Sequence, residues 1–255
     1  IWAMDVARFG NYASPEYGTI KSSENYERRF VMTFPNETLP KGRRQKTTSI
    51  YDRLLKKGAV MGDSFGLESA LWFAKNEKDA YEEPTFKRSR SHTYIAQEIE
   101  AVRTAVGATE IANFAKHEFT GPEARNFLNY VLAGNIPKPG RIVLTPMLTH
   151  KGKLYGDLTV ACLNENKFML FGSGAAQEMH RRWFEQFLPK KEVVYKNKSD
   201  DFHGIAISGP NSRKLLSKIC RDDVSNEALK FRDTKETFVG GVPVILNRIS
   251  FSGEL

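Results

Sequence analysis

The sequence predicts an α+β fold of antiparallel sheets with packed helices. Three observations predict it: a three-strand meander between residues 141 and 173, amphipathic helical stretches on either side of that meander, and a glycine-proline helix start that occurs twice.

The first 80 residues mix aromatic and turn residues, with breaks at Gly10-Asn11, Ser14-Pro15, Phe34-Pro35-Asn36 and Leu39-Pro40-Lys41-Gly42. Tyr26 to Phe34 reads as a strand or short helix, and Ile50 to Lys57 as a helix of one or two turns ending before Gly58. Gly58 to Phe73 is rich in glycine and apolar groups and predicts a packed, bent segment. Residues 74–92 are dominated by charge, from Lys75-Asn76-Glu77-Lys78-Asp79 to Lys87-Arg88-Ser89-Arg90. Few of these side chains suit a core, so the stretch reads as a connection between two modules, residues 1–88 and 89–255.

Beyond it the periodicity sharpens. Ile95, Ile99, Val102 and Val106 fall at helical spacing, with Gly107 where a C-terminal cap belongs. A short apolar segment, Ile111 to Phe119, leads to Thr120-Gly121-Pro122. Pro122 suits a first helical position, and Ala124, Phe127, Leu128 and Val131 form the inner stripe of the helix that follows. Arg141 to Leu148, Leu154 to Leu163 and Phe168 to Ser173, separated by turns at Thr149–Lys153 and Asn164–Lys167, form the meander. Ala175 to Leu188 reads as a helix with Met179, Trp183, Phe184 and Phe187 inward, stopped by Pro189. The chain then repeats itself: Phe119-Thr-Gly-Pro-Glu-Ala-Arg125-Asn-Phe-Leu128 is echoed by Ile207-Ser-Gly-Pro-Asn-Ser-Arg213-Lys-Leu-Leu216, with Gly121 and Gly209 88 positions apart. Two related strand-helix-strand units, each supplying half a core, explain the echo. The final stretch, Val242 to Leu255, reads as strand with no polar tail, and the chain opens at Ile1 without a targeting signal; both suggest a piece of a longer protein.

Composition bounds the function classes. Hydrophobic residues make up 40% and charged residues 27%, as in ordinary globular proteins, which argues against wholesale disorder. No apolar run approaches the ~18 residues needed to cross a bilayer, so no membrane partner is expected. The net charge of +8 is dispersed, and its basic clusters are not interleaved with stacking aromatics, so no nucleic-acid partner is expected either. Cys162 and Cys220 are not spaced for a metal and read as buried free thiols in a reducing compartment. His92, His117, His150, His180 and His203 are scattered, so no metal site is expected. Gly172-Ser173-Gly174 lacks the third glycine of a dinucleotide loop and reads as a strand-to-helix turn. Ser208 and Ser250 show no nucleophile elbow.

Asp157 stands out, within Leu154-Tyr155-Gly156-Asp157-Leu158-Thr159-Val160. Alternation puts Tyr155, Asp157 and Thr159 on one face, with Leu154, Leu158 and Val160 mainly on the other. A carboxylate in mid-strand loses solvation unless it is exposed or paired. The residues alone leave two readings open, a solvent-facing aspartate and a functional carboxylate; Arg8, Arg44, Arg141 and Arg248 are equal candidates for an ion-pair partner.

Segments along the whole chain resemble the dimethylglycine/sarcosine dehydrogenase family, whose members join a flavin domain to a folate domain similar to the glycine-cleavage T-protein, an aminomethyltransferase. Met4-Asp5-Val6-Ala7-Arg8-Phe9-Gly10, Tyr51-Asp52-Arg53-Leu54 and Gly58-Ala59-Val60 through Trp72-Phe73 resemble the central region that follows the flavin domain. Phe114-Ala115-Lys116, Phe119-Thr120-Gly121-Pro122, Met147-Leu148-Thr149, Asp157-Leu158-Thr159-Val160, Gly209-Pro210 and Arg248 to Leu255 resemble the folate domain, which would be truncated here. The resemblance implies an oxidoreductase that demethylates dimethylglycine or sarcosine, with FAD bound by an N-terminal domain outside this chain. The iminium so formed would yield its one-carbon unit to tetrahydrofolate, giving 5,10-methylenetetrahydrofolate. It implies Asp157 as the carboxylate that assists attack by the folate nitrogen; an aspartate of ordinary pKa, about 3.9, is ionised and able to accept a proton. Met147, Thr159, Phe231 and Phe251 would line the pterin. The alternatives are a stand-alone folate-dependent aminomethyltransferase or demethylase, and a non-catalytic folate-fold binding protein. The expected location is the bacterial cytoplasm or the mitochondrial matrix. Phe251 departs from the tyrosine frequent in the family, Gly156 from a second carboxylate, and the family's pterin-gripping glutamate would follow Leu255. The piece alone is therefore expected to be inactive.

Overall fold

The computed structural model describes residues 4–250. The chain divides into two compact units, residues 1–102 and 103–255.

In the first unit, Ser14 and Pro15 begin a 13-residue helix, α1 (Pro15–Glu27), where a turn was expected. The Ser14 hydroxyl accepts from the Tyr17 N–H at 3.1 Å, and Pro15 sits where its missing N–H is not needed. The stretch 26–34, expected as a strand or short helix, holds only the end of α1 and the turn after it. α2 (Tyr51–Lys56) occurs as predicted. The bent segment is a β-hairpin, β1 (Ala59–Ser64) with β2 (Leu67–Phe73), and it bends through a bulge at Val60/Met61. Phe65 and Gly66 turn the chain with φ of 51° and 80°, the left-handed pair that matches hairpin twist.

Val60, Trp72 and Ala74 form a small core that Tyr94 and Ile95 of α3 (Ser91–Thr104) complete, with the Trp72 and Tyr94 rings stacked 5.2 Å apart. The charged residues of 74–92 are tied to this core. Glu82 accepts the Trp72 indole N–H at 2.7 Å, and Asp79 accepts both the Tyr94 hydroxyl at 2.7 Å and Arg90 at 3.0 Å. Glu68 is 2% exposed and is held by the Arg43 guanidinium, Nε at 3.0 Å. Ile99, expected inward, is 51% exposed.

The second unit carries a five-stranded antiparallel sheet in the order β5-β6-β7-β4-β8, formed by β4 (Ala115–Thr120), β5 (Arg141–Leu148), β6 (Leu154–Asn164), β7 (Lys167–Gly172) and β8 (Val194–Asn197). The predicted meander is β5-β6-β7. Two smaller pairs join β3 (Gly107–Glu110) to β9 (Ile205–Ser208), and β10 (Thr234–Val239) to β11 (Val242–Asn247). Gly107 opens β3 instead of capping α3.

One face of the sheet packs on α4 (Ala124–Val131) and α5 (Gln177–Phe187), around Phe119, Leu128, Met147, Leu158, Phe168 and Phe184, all fully buried. Each such side chain contributes roughly 1.5–3 kcal/mol by leaving water. The opposite face buries Ile142, Ala161 and Met169 against Leu163, Phe171 and Ile245 of β11.

The repeat is structural. Gly121 and Gly209 adopt φ of 125° and 113°, and eight-residue helices follow both, α4 and α6 (Ser212–Ile219). Glu123 and Asn211 enter them with nearly the same dihedrals, φ −95° and −97°, ψ 5° in each. Arg125 then donates to the carbonyl of Pro137, and Arg213, its counterpart, to that of Val224. An antiparallel hairpin follows each helix. Both cysteines are free thiols, Cys162 buried as expected and Cys220 only half-buried.

Candidate functional site on strand β6

β6 pairs with β5 from Leu154 to Cys162, but with β7 only from Thr159 onward, opposite Phe171. Residues 154–158 therefore project beyond β7. A bulge between Met147 and Leu148 places Gly156 opposite Met147 and Leu154 opposite Leu148, leaving Tyr155 as the extra residue. The bulge breaks the alternation. Tyr155, expected on the face of Asp157, instead packs on the α5 side, its ring 4.4 Å from that of Trp183.

Asp157 and Thr159 do share a face. They pair with Pro146 and Leu144 of β5, and this is the side away from α5. Asp157 is exposed, Thr159 half-buried, and Leu144 69% exposed beside them. The result is an open apolar floor bearing one carboxylate and one hydroxyl. None of the arginines weighed as partners in this unit pairs with Asp157: Arg141 pairs with Asp233, and Arg248 donates to the Leu229 carbonyl at 2.7 Å.

Met147 lies on the other face, fully enclosed in the main core, beneath the strand instead of on the floor. Phe231 is 49% exposed and precedes Arg232, whose carbonyl accepts the Ile142 N–H at 3.0 Å. It thus sits near the start of β5, four residues from Pro146, or roughly 13 Å along a strand rising about 3.3 Å per residue. Phe251 lies outside the described residues.

Behind Asp157 lies a pair of residues with no sequence signal. His117 of β4 and His180 of α5 are 0% and 2% exposed, with ring centroids 6.3 Å apart. His117 Nδ1 and the Tyr195 hydroxyl are 2.9 Å apart. His117 Nε2 and both His180 nitrogens have no hydrogen-bond partner among the described residues. Burial, reinforced by His180, pushes the His117 pKa down to about 3. Burial pushes His180 down to about 4, against the opposing pull of the Asp157 charge. Their positions, 63 residues apart, gave nothing to read, and only the fold joins them.

Among the described residues no group of three or more His, Cys, Asp or Glu side chains could hold a metal, and no helix is long and apolar enough to cross a membrane.

The mixed helix and antiparallel-sheet architecture resembles the glycine-cleavage aminomethyltransferase fold. Residues 50–255 match the family described as the GCVT N-terminal domain, and the chain belongs to it. Residues 1–48 match the FAD dependent oxidoreductase central domain. Human mitochondrial dimethylglycine dehydrogenase is 32% identical over 99% of this chain, and human mitochondrial sarcosine dehydrogenase 26% over 98%. The chain covers 29% and 32% of those two proteins. An aminomethyltransferase of Halothermothrix orenii is 30% identical over 64% of the chain and 46% of its own length. The aminomethyltransferase T of the Bartonella henselae glycine cleavage system superposes with a TM-score of 0.62 at 21% identity, over 82% of this chain and 51% of that one. The relatives are thus oxidoreductases and aminomethyltransferases.

Proposed function

We propose that this chain is the folate-side segment of a flavin-linked N-methyl amine dehydrogenase acting on dimethylglycine or sarcosine, and that Asp157 is its catalytic carboxylate. The observation that carries the reading is the exposed Asp157, without an ion pair to any described residue, on a floor made by Leu144, Pro146 and Thr159. That donor and acceptor set suits a flat heterocycle: Leu144 and Pro146 offer apolar contact, Thr159 a hydroxyl, and Asp157 an acceptor for ring N–H groups. Tetrahydrofolate, when bound, supplies the amine nitrogens that take up a one-carbon unit. Asp157 accepts the proton shed as nitrogen bonds to that carbon, and its negative charge steadies the cation that precedes the loss. Met147 holds the strand from the buried side, and Phe231 extends the proposed lining toward the start of β5.

Oxidation of the amine belongs to FAD, held by a flavin-binding part that the dehydrogenase relatives imply. The stand-alone aminomethyltransferase reading is less well supported, since such enzymes match 64% and 82% of the chain and dimethylglycine dehydrogenase 99%. The relatives named as mitochondrial point to the mitochondrial matrix, or to the cytoplasm if the source is bacterial.

The test is titration of the full-length protein with tetrahydrofolate, together with assay of methylenetetrahydrofolate formed from dimethylglycine and from sarcosine. Asp157→Asn should lower transfer by about 100-fold with amine oxidation intact. An unchanged transfer rate in that variant would remove Asp157 from the chemistry.

A further inference from the structure

His180 is a conspicuous occupant of its position. A histidine that is 2% exposed, with both nitrogens lacking partners among the described residues, loses solvation and gains no hydrogen bond that leucine would forgo. Something other than its polarity accounts for the fit.

Its neighbours on the sheet are glycines. A Cβ placed on Gly156 would lie 2.4 Å from His180 Nε2, and one placed on Gly172 would lie 3.3 Å from Nδ1 and 2.6 Å from Leu158 Cδ2. These two glycines border the point where β6 and β7 part. Pairing stops at Thr159 opposite Phe171; Gly172 pairs only with Ala115 of β4, and Gly156 only with Met147 of β5. The imidazole lies over both glycines from the α5 side. From behind it is met by His117, whose own ring is fixed by Tyr195 and by Phe184, 5.2 Å between centroids.

We infer that His180 is a positioning residue for Asp157: its ring is a wedge between Gly156 and Gly172 that holds β6 away from β7 and fixes the backbone from which the carboxylate projects. The inference rests on the reading of Asp157 as the catalytic group. His180 touches neither substrate nor folate in it; it acts through the Gly156 backbone. Asp157, on the far face of the strand, receives no hydrogen bond from the ring and stays available to a ligand.

The wedge predicts a pattern of compensation. Carbon and nitrogen atoms in good contact stand at least about 3.5 Å apart, so Gly156→Ala must displace ring or strand by about 1 Å. A shift of that size at a reacting group lowers kcat by up to about 100-fold. In the full-length protein, Gly156→Ala should therefore lower kcat for one-carbon transfer at least tenfold, with the KM for tetrahydrofolate within about threefold of wild type. His180→Ala removes the obstruction, so the Gly156→Ala/His180→Ala double variant should recover at least about fivefold of the loss.

Amide hydrogen exchange at residues 156–158 is read in parallel. His180→Ala should accelerate it at least about tenfold while the β4 and β7 amides stay protected. Additive losses with no recovery, or unchanged exchange at 156–158, would overturn the wedge. Asp157→Asn separates the two ideas: if that variant transfers at the wild-type rate, the catalytic reading fails, and the exchange measurement still decides whether His180 wedges the strand.

Discussion

Acidification should destabilise the second unit through two rings that the fold keeps uncharged. His117 and His180 have folded-state pKa values of about 3 and about 4, against 6.5 for an exposed histidine. Above pH 6.5 both rings are neutral whether the chain is folded or not, and stability does not depend on them. Between pH 6.5 and the folded values, the unfolded chain takes up protons that the folded chain refuses, so stability falls as pH falls. Below those values the difference stops growing. At about 1.4 kcal/mol per unit, each ring removes about 2 kcal/mol between pH 6.5 and pH 5, or about 4 kcal/mol together.

Domains of this size hold only about 5–15 kcal/mol in total, so roughly a quarter to four-fifths of that reserve is exposed to a modest change in proton concentration. Urea unfolding at pH 7.5, 6.0 and 5.0, followed by the fluorescence of Trp183 on α5 in a Trp2→Phe/Trp72→Phe background, measures it. With an m-value of about 2 kcal/mol/M, the midpoint should fall by about 2 M at pH 5. His180→Leu should halve the slope. A midpoint that does not move between pH 7.5 and 5.0, or a His180→Leu slope equal to that of wild type, would refute the argument.

Three further outcomes follow from the packing. Asp157 is exposed, so Asp157→Asn should change stability by no more than about 0.5 kcal/mol in thermal unfolding while transfer falls, which separates chemistry from folding. Gly121→Ala would set a methyl 2.1 Å from the Glu192 carbonyl oxygen at a φ that alanine resists, and should destabilise by about 3 kcal/mol in urea. Arg43→Ala leaves Glu68, 2% exposed, without its guanidinium, and should weaken the first unit by about 3–5 kcal/mol in urea, whereas Lys41→Ala, breaking an exposed pair with Glu27, should fall within about 1 kcal/mol.

What the sequence disclosed followed the strength of its periodic signals. α4 was legible because four apolar residues line its inner stripe, and its copy α6 because Gly-Pro precedes it. α1 was not, since its single buried side chain is Glu24 and its faces are mixed polar, although Ser14 followed by Pro15 was a start signal that could have found it. In the site, alternation correctly joined Asp157 to Thr159 but misassigned Tyr155, because a bulge depends on the partner strand and leaves no mark on its own strand's pattern. Met147 shows the opposite problem: an apolar residue near a functional one reads equally as lining or as core, and only the face of the strand distinguishes them. His117 and His180 were invisible because tertiary folding alone brings them together.

The two halves of the duplicated unit have parted company at one telling place. Counting 88 residues on from Asp157, as from Gly121 to Gly209, reaches Ile245 in β11, and that isoleucine packs back against Ile142, Ala161 and Met169. Asp157 is exposed on its strand, whereas Ile245 belongs to an apolar seam. Ile245→Asp would set an unpaired charge against that oily seam and should destabilise the second unit.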